Sequence, residues 1–207
     1  KRKKMLSYKD SLKILKETNA LIDGHFILSS GLHSPQYVQC AQLLSKPFKS
    51  EQLCISLAEK ITKEFNEIDL ILSPAMGGVI IGYEMGRLLK KETIFSERVN
   101  SEFKLRRGFE IKKNSKVLVV EDVITTGKSS LECSNLIKDF CGNLLGFACL
   151  IDRSSGKSKL NKKIISQVQI DIPTYKENEL PNNLIALPVT KPGSRDLKWV
   201  KLNLVWI

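Results

Sequence analysis

The chain has 207 residues, 42% of them hydrophobic and 27% charged, with a net charge of +11. That length holds one α/β domain with a sizeable core, or one domain and a small cap. No apolar run approaches the ~20 residues needed to cross a bilayer, and the excess lysine is scattered as on a solvated face, with only Lys1 to Lys4 and Arg106–Arg107 clustered. The charge leaves open nucleic-acid binding, a site for a polyanionic small molecule, or general lysine richness.

The start, KRKKM, is basic, but LSYKDSLKILKE is too charged for a signal-peptide core, and Met5 is a candidate initiator. The odd set Cys40, Cys54, Cys133, Cys141 and Cys149 contains no C-x-x-C pair. It fits reduced, buried cysteines in a cytoplasmic protein better than a zinc site. His25 and His33 are the only histidines. They read as polar groups near a turn rather than as metal ligands or bases.

In chain order, Tyr8, Leu12, Leu15 and Ile22 are spaced for one helix face across Lys9 to Ala20. Gly24, Gly31 and Pro35 then punctuate GHFILSSGLHSPQYVQC into two extended pieces, around His25–Leu28 and Gln36–Cys40, which read as a small hairpin. Ser45 followed by Pro47 marks a helix start. Cys54, Ala58, Ile61 and Phe65 give that helix its buried stripe. Ile68 to Leu72 is a short strand ending in SPAMGG, whose paired glycines permit a tight turn close to a ligand. Val79, Ile80 and Tyr83 enter another helix, where Gly82 and Gly86 allow close packing.

Thr93 to Ser96 is the next strand. Glu97 to Gly108, ERVNSEFKLRRG, is polar and carries Arg98, Lys104, Arg106 and Arg107. It reads either as a solvated hairpin or as a mobile loop that brings cations over a polyphosphate and excludes water. Val117 to Val120 suits a strand buried on both faces. Glu121 and Asp122 follow at once, then Val123, Ile124, Thr125, Thr126, Gly127, Lys128 and Ser129. That tail suits a turn into a helix N-terminus, where free N–H groups and the dipole attract a phosphate.

Cys133, Leu136, Ile137 and Phe140 are expected to face inward on that helix, with Gly142 ending it. Leu144 to Ile151 is a buried strand running into Asp152 and Arg153, and Ser154 to Lys163 is a polar loop. Val168 to Ile172 is a last strand stopped by Pro173. The proline-broken stretch after it is expected to wrap the surface. The closing DLKWVKLNLVWI, with Trp199, Val200, Leu202, Leu204 and Val205, is expected to pack on the domain or on a partner.

The alternation predicts an α/β fold: an open parallel sheet flanked by helices. A small N-terminal hood of helix and hairpin is expected over residues 1–45, the core over 46–175, and a C-terminal segment over 176–207. Polar groups collect after the strands, at 73–78, 121–129 and 152–153, where such sheets bind ligands. Gly127-Lys128-Ser129 invites a nucleotide P-loop reading. That motif needs a glycine five residues earlier, and position 122 is an aspartate that would repel a triphosphate. Glu121 and Asp122 suit two ribose hydroxyls instead, with Thr125 to Ser129 holding a single 5-phosphate.

VVEDVITTGKS resembles the phosphoribosyl-diphosphate signature of type I phosphoribosyltransferases. GHFILSSGLHSPQYVQC, SPAMGGV, ERVNSEFKLRRGF and KPGSR (191–195) stand in the order seen in orotate phosphoribosyltransferases. The resemblance covers roughly residues 8 to 195. It implies transfer of a phosphoribosyl group from 5-phospho-α-D-ribose 1-diphosphate to orotate, a magnesium requirement with no direct protein ligand, a homodimer, and neither nucleic-acid nor membrane partners.

Residue by residue, the resemblance implies that Glu121 to Ser129 cradle the ribose 5-phosphate and that Ala75, Met76 and Gly77 line the pyrophosphate side. Thr125 and Arg153 match positions that contact orotate. Asp122, Arg98, Arg107 and Lys104 are the catalytic candidates. One branch of the family has several lysines and a histidine in its loop, and a lysine where this chain has Ser29. The arginine-rich loop here is similar to a second branch. The rival expectations are a phosphoribosyltransferase for another base and a non-catalytic, nucleic-acid-binding regulator.

Overall fold

The computed structural model describes residues 5–192, so Arg195 and the apolar tail from Trp199 lie outside the described residues. In chain order the elements are α1 (Tyr8–Glu17), β1 (Leu21–Ile27), β2 (His33–Val38), α2 (Cys40–Leu44), α3 (Pro47–Glu64), β3 (Leu70–Pro74) and α4 (Gly77–Leu89). They continue with β4 (Glu92–Val99), β5 (Glu102–Leu105), β6 (Lys116–Ile124), α5 (Lys128–Asp139), β7 (Asn143–Asp152) and β8 (Ile164–Gln169). The short α6 (Asn182–Ile185) and β9 (Val189–Thr190) follow. No described helix is long and apolar enough to cross a membrane.

Two compact units divide these elements: residues 5–21 with 39–171, and residues 22–38 with 172–192. The larger holds a six-stranded sheet in the order β5-β4-β3-β6-β7-β8, parallel except where β5 folds back antiparallel on β4. Sequence order reverses between β3 and β6, which opens a crevice at their carboxyl ends, where sheets of this type bind ligands.

The apolar run of β6 explains its central place. Val117 to Val120 are all fully buried, so side chains on both faces of the strand are covered. Val117 and Val119 pack with Leu70, Leu72, Cys133, Ile137 and Phe147 on one face. Close helix packing is set by glycine: a Cβ on Gly86 would meet Thr93 Oγ1 at 2.0 Å, and one on Gly82 would meet Ser73 Oγ at 2.1 Å.

The smaller unit orders its strands β2-β1-β9, with β9 parallel to β1. His25 and His33 are buried in it and hydrogen-bond to each other, Nε2 to Nδ1, at 2.7 Å.

Several local expectations shift. The first helix stops at Glu17, and Ile22 belongs to β1. Asn19, with φ 58°, turns the chain between them. Ser7 caps that helix by accepting from Asp10 N, so a cap-and-carboxylate pair marks its start. Ser45 ends α2, while Pro47 opens α3 behind Lys46.

The left-handed residue after α5 is Cys141, at φ 56°, not Gly142, and Phe140 is exposed rather than inward. The last core strand starts earlier than Val168 and ends at Gln169. Glu97 to Gly108 contains an ordered hairpin: β4 continues to Val99 and pairs with β5 from Ser96↔Leu105 to Val99↔Glu102.

Candidate active site

β3 and β6 deliver two turns to the crevice. After β3 the chain passes Ala75, Met76 and Gly77, with a cis peptide between Ala75 and Met76, and enters α4. Gly77 sits hard against the next strand's acid, since a Cβ there would lie 2.7 Å from Asp122 Oδ1. No other residue admits that approach without a shift. The turn at Ala75 to Gly77 and the carboxylate pair are therefore adjacent in space.

β6 runs on through Glu121 and Asp122 to Ile124 rather than stopping at the acids, pairing Glu121 with Cys149 and Ile124 with Asp152 on β7. Strand geometry sends the two neighbouring side chains to opposite faces. Each carboxylate has one oxygen engaged: Glu121 Oε2 accepts from Ser130 Oγ, and Asp122 Oδ1 accepts from Val123 N at 2.9 Å. Burial pushes Glu121 up to about 7, while the Ser130 bond pulls it down and Asp122 adds a smaller upward push. Burial raises Asp122 too, against its backbone hydrogen bonds. Half-buried carboxyls with raised values, set beside a crevice, are what functional sites accumulate.

Thr125 and Thr126 are exposed, and Gly127, at φ 76°, occupies the N-cap of α5 without a side-chain cap. The start of this 12-residue helix is thereby left open to an anion. Lys128 is exposed beside it and Ser129 is half-buried. Glu121 to Ser129 thus lie in one continuous strand, turn and helix start, as the sequence predicts.

Arg153 follows β7 directly. Its N–H donates to Ile124 O at 2.8 Å, which fixes the backbone of Arg153 beside the residue preceding Thr125. Buried Asp152 holds the turn from the other side by accepting from Ser154 N at 2.8 Å.

Three of the hairpin cations, Arg98, Lys104 and Arg107, are engaged with a carboxylate. Arg98 lies 2.8 Å from Glu132 and stacks 4.1 Å over the Phe103 ring. Arg107 makes a bidentate pair with Glu97 at 3.0 and 2.8 Å, and Lys104 lies 2.7 Å from Glu102. Exposed pairs of this kind contribute little and are readily exchanged.

Sequence reasoning missed Ser130 and Asp152. The first stands one residue past the recognisable phosphate motif. The second was legible only as charge at a strand end.

The phosphoribosyl transferase domain family matches residues 41–179. Among solved structures, an orotate phosphoribosyltransferase from Aeropyrum pernix is similar with a TM-score of 0.68 and 23% identity, covering 76% of this chain and 92% of that one. An adenine phosphoribosyltransferase from Saccharomyces cerevisiae is similar with a TM-score of 0.62 and 18% identity, covering 76% and 99%. At those identities the structures speak for the fold alone, and the fold serves more than one base.

The curated relatives carry more. One from Erythrobacter litoralis is 49% identical over 179 residues, covering 86% of this chain and 93% of the relative. Another, from Parvibaculum lavamentivorans, is 49% identical over 192 residues, covering 91% and 99%. Both are named orotate phosphoribosyltransferase. The chain belongs to the phosphoribosyltransferase family, and within it to the orotate phosphoribosyltransferases.

The raised acid has a consequence for stability. Between an ordinary 4.5 and about 7, folded Glu121 keeps a proton that the unfolded chain has released. Ionising it therefore removes stability as pH rises through that window, by about 3 kcal/mol once it is complete. Glu121→Gln should gain about 3 kcal/mol over wild type at pH 8 relative to its difference at pH 4.5, measured by chemical unfolding at both values. A pH-independent difference would contradict the burial account.

Proposed function

We propose that the protein transfers the 5-phosphoribosyl group from the magnesium complex of 5-phospho-α-D-ribose 1-diphosphate to orotate. The products are orotidine 5′-phosphate and pyrophosphate, and the step belongs to pyrimidine nucleotide synthesis. One observation carries the reading. A carboxylate pair at the carboxyl end of β6 runs directly into the open N-terminus of α5, with the Gly77 turn against Asp122 and the Arg153 backbone fixed beside the same strand.

Each part has a chemical counterpart. Turn and helix-start N–H groups over Thr125 to Ser129 receive the 5-phosphate. Glu121 and Asp122 accept the two ribose hydroxyls. Ala75, Met76 and Gly77 line the diphosphate side. Arg153 offers a planar fork to the orotate carboxylate, and Thr125 stands next to it.

Among the described residues no group of three or more His, Cys, Asp or Glu side chains forms a cation cage. A hard magnesium ion would suit the diphosphate and ribose oxygens of the substrate and would supply charge neutralisation on the leaving group. As the bond from C1 to the pyrophosphate oxygen breaks, the ribose gains cationic character, which Asp122 stabilises through the hydroxyls it holds. The N1 atom of deprotonated orotate then bonds to C1, so no strong general base is required. Arg98, Lys104 and Arg107 exchange their carboxylate partners for diphosphate oxygens.

A second copy of the chain completes this reading. Met76, at the N-cap of α4, and Ile80 and Tyr83 within it stand at helical spacing and are 84, 55 and 70% exposed, forming an apolar stripe suited to a two-fold contact. All five cysteines are free, which supports a reducing, cytoplasmic setting.

Orotate absorbance should fall when protein, magnesium and ribosyl diphosphate are mixed, and uracil, hypoxanthine and adenine should not turn over. Absence of turnover with orotate would remove the proposal. In the same assay Arg153→Ala should raise the orotate KM at least tenfold, with a smaller change for ribosyl diphosphate, and Arg107→Ala should lower kcat. Equal losses for both substrates would misplace Arg153, and an unchanged kcat would misplace Arg107. Light scattering should give twice the chain mass of 23.3 kDa, and Tyr83→Glu should give a monomer. A monomeric wild type would overturn the dimer.

A further inference from the structure

Ser130 has no place in the phosphate-binding role of its neighbour Ser129. It is the third residue of α5, and its side chain is fully buried. Serine is a poorer helix former than alanine, and burying a hydroxyl is unfavourable unless it is hydrogen-bonded. The partner here is specific: Ser130 Oγ donates to Glu121 Oε2, joining α5 to the end of β6. A hydroxyl that served packing alone would not need to face an acid.

We propose that Ser130 is a positioning residue for the transfer: it anchors one oxygen of Glu121 and favours the carboxylate form, so that the other oxygen accepts a hydroxyl of the ribosyl diphosphate. This rests on the functional reading above and adds to it the group that tunes one half of the carboxylate pair.

The surroundings make the tuning matter at neutral pH. Burial holds Glu121 near 7, and the Ser130 bond works against that rise. Removing the hydroxyl takes away the group opposing the rise, so more of Glu121 is protonated at neutral pH. A protonated Glu121 offers a donor where a ribose hydroxyl needs an acceptor, and it loses the charge that faces the developing cation. The other titratable groups that bear on it are Asp122 on β6, Cys133 on α5 and Cys149 on β7. Burial pushes Cys133 to about 12 and Cys149 well above the ordinary thiol range. Both stay neutral, so Asp122 is the only other charge in the set.

The test is calorimetric titration of magnesium ribosyl diphosphate, without orotate, into wild type and Ser130→Ala at pH 6.5, 7.5 and 9. At pH 6.5 and 7.5 the variant should bind about tenfold more weakly, as expected for losing a hydrogen bond to a charged group. By pH 9 Glu121 is ionised in both proteins and the ratio should approach one. Ser130→Cys, with a weaker donor, should lie between the two. Unfolding curves should show both variants folded. A loss of affinity that is the same at every pH would make Ser130 merely structural, and unchanged affinity throughout would overturn its role. If wild type failed to bind at any of the three pH values, the functional reading would fall, whereas wild-type binding with a pH-indifferent variant would overturn the Ser130 role alone.

Discussion

The site depends on two adjacent carboxyls held where a buried strand ends. Val117 to Val120 are buried because β6 is central in the sheet and covered on both faces. That burial extends in part past the apolar run: Glu121 and Asp122 are half-buried, and desolvation pushes both acids up. Desolvation disfavours their charged forms. The surroundings answer with specific donors, Ser130 Oγ on one side and backbone N–H groups, Val123 N among them, on the other. A site that pays in stability for its charge is a site whose charge has a use.

The same pair constrains its neighbours. A side chain at Gly77 would force the Asp122 carboxylate to shift. Gly127 takes a left-handed conformation at the head of α5, where it bends the chain from strand to helix without capping the helix. In the proposed reading the open helix start receives a phosphate, and the aspartate that stands where a P-loop has glycine serves a ribose ring rather than a chain of phosphates. The hairpin bears the opposite charge: Arg98, Lys104 and Arg107 are held by carboxylates that bind them only weakly.

Much of this was legible because it is local. A buried strand, an acidic pair and a glycine turn occupy consecutive positions, and periodicity placed the core helices and most of the core strands. Burial of β6 beyond Val120 was not legible, because it depends on pairing with β7 rather than on residue type. The hairpin at 97–108 could not be separated from a loop, since its polar composition serves both. Helix ends misled where conformation and composition part, as at Cys141, which takes the left-handed turn next to an available glycine. Ser130 escaped because a buried serine and an exposed one look alike in sequence; only the three-dimensional approach of α5 to β6 distinguishes them.

The central claim is that the carboxylate pair recognises the ribose ring. Calorimetric titration of magnesium ribosyl diphosphate, and of ribose-free magnesium pyrophosphate, into wild type and Asp122→Asn tests it most directly. The account predicts that the substitution weakens ribosyl diphosphate by about ten- to a hundredfold, as for a lost charge-assisted hydrogen bond, and leaves pyrophosphate nearly unchanged. An unaltered affinity for ribosyl diphosphate, or an equal loss for both ligands, would contradict it.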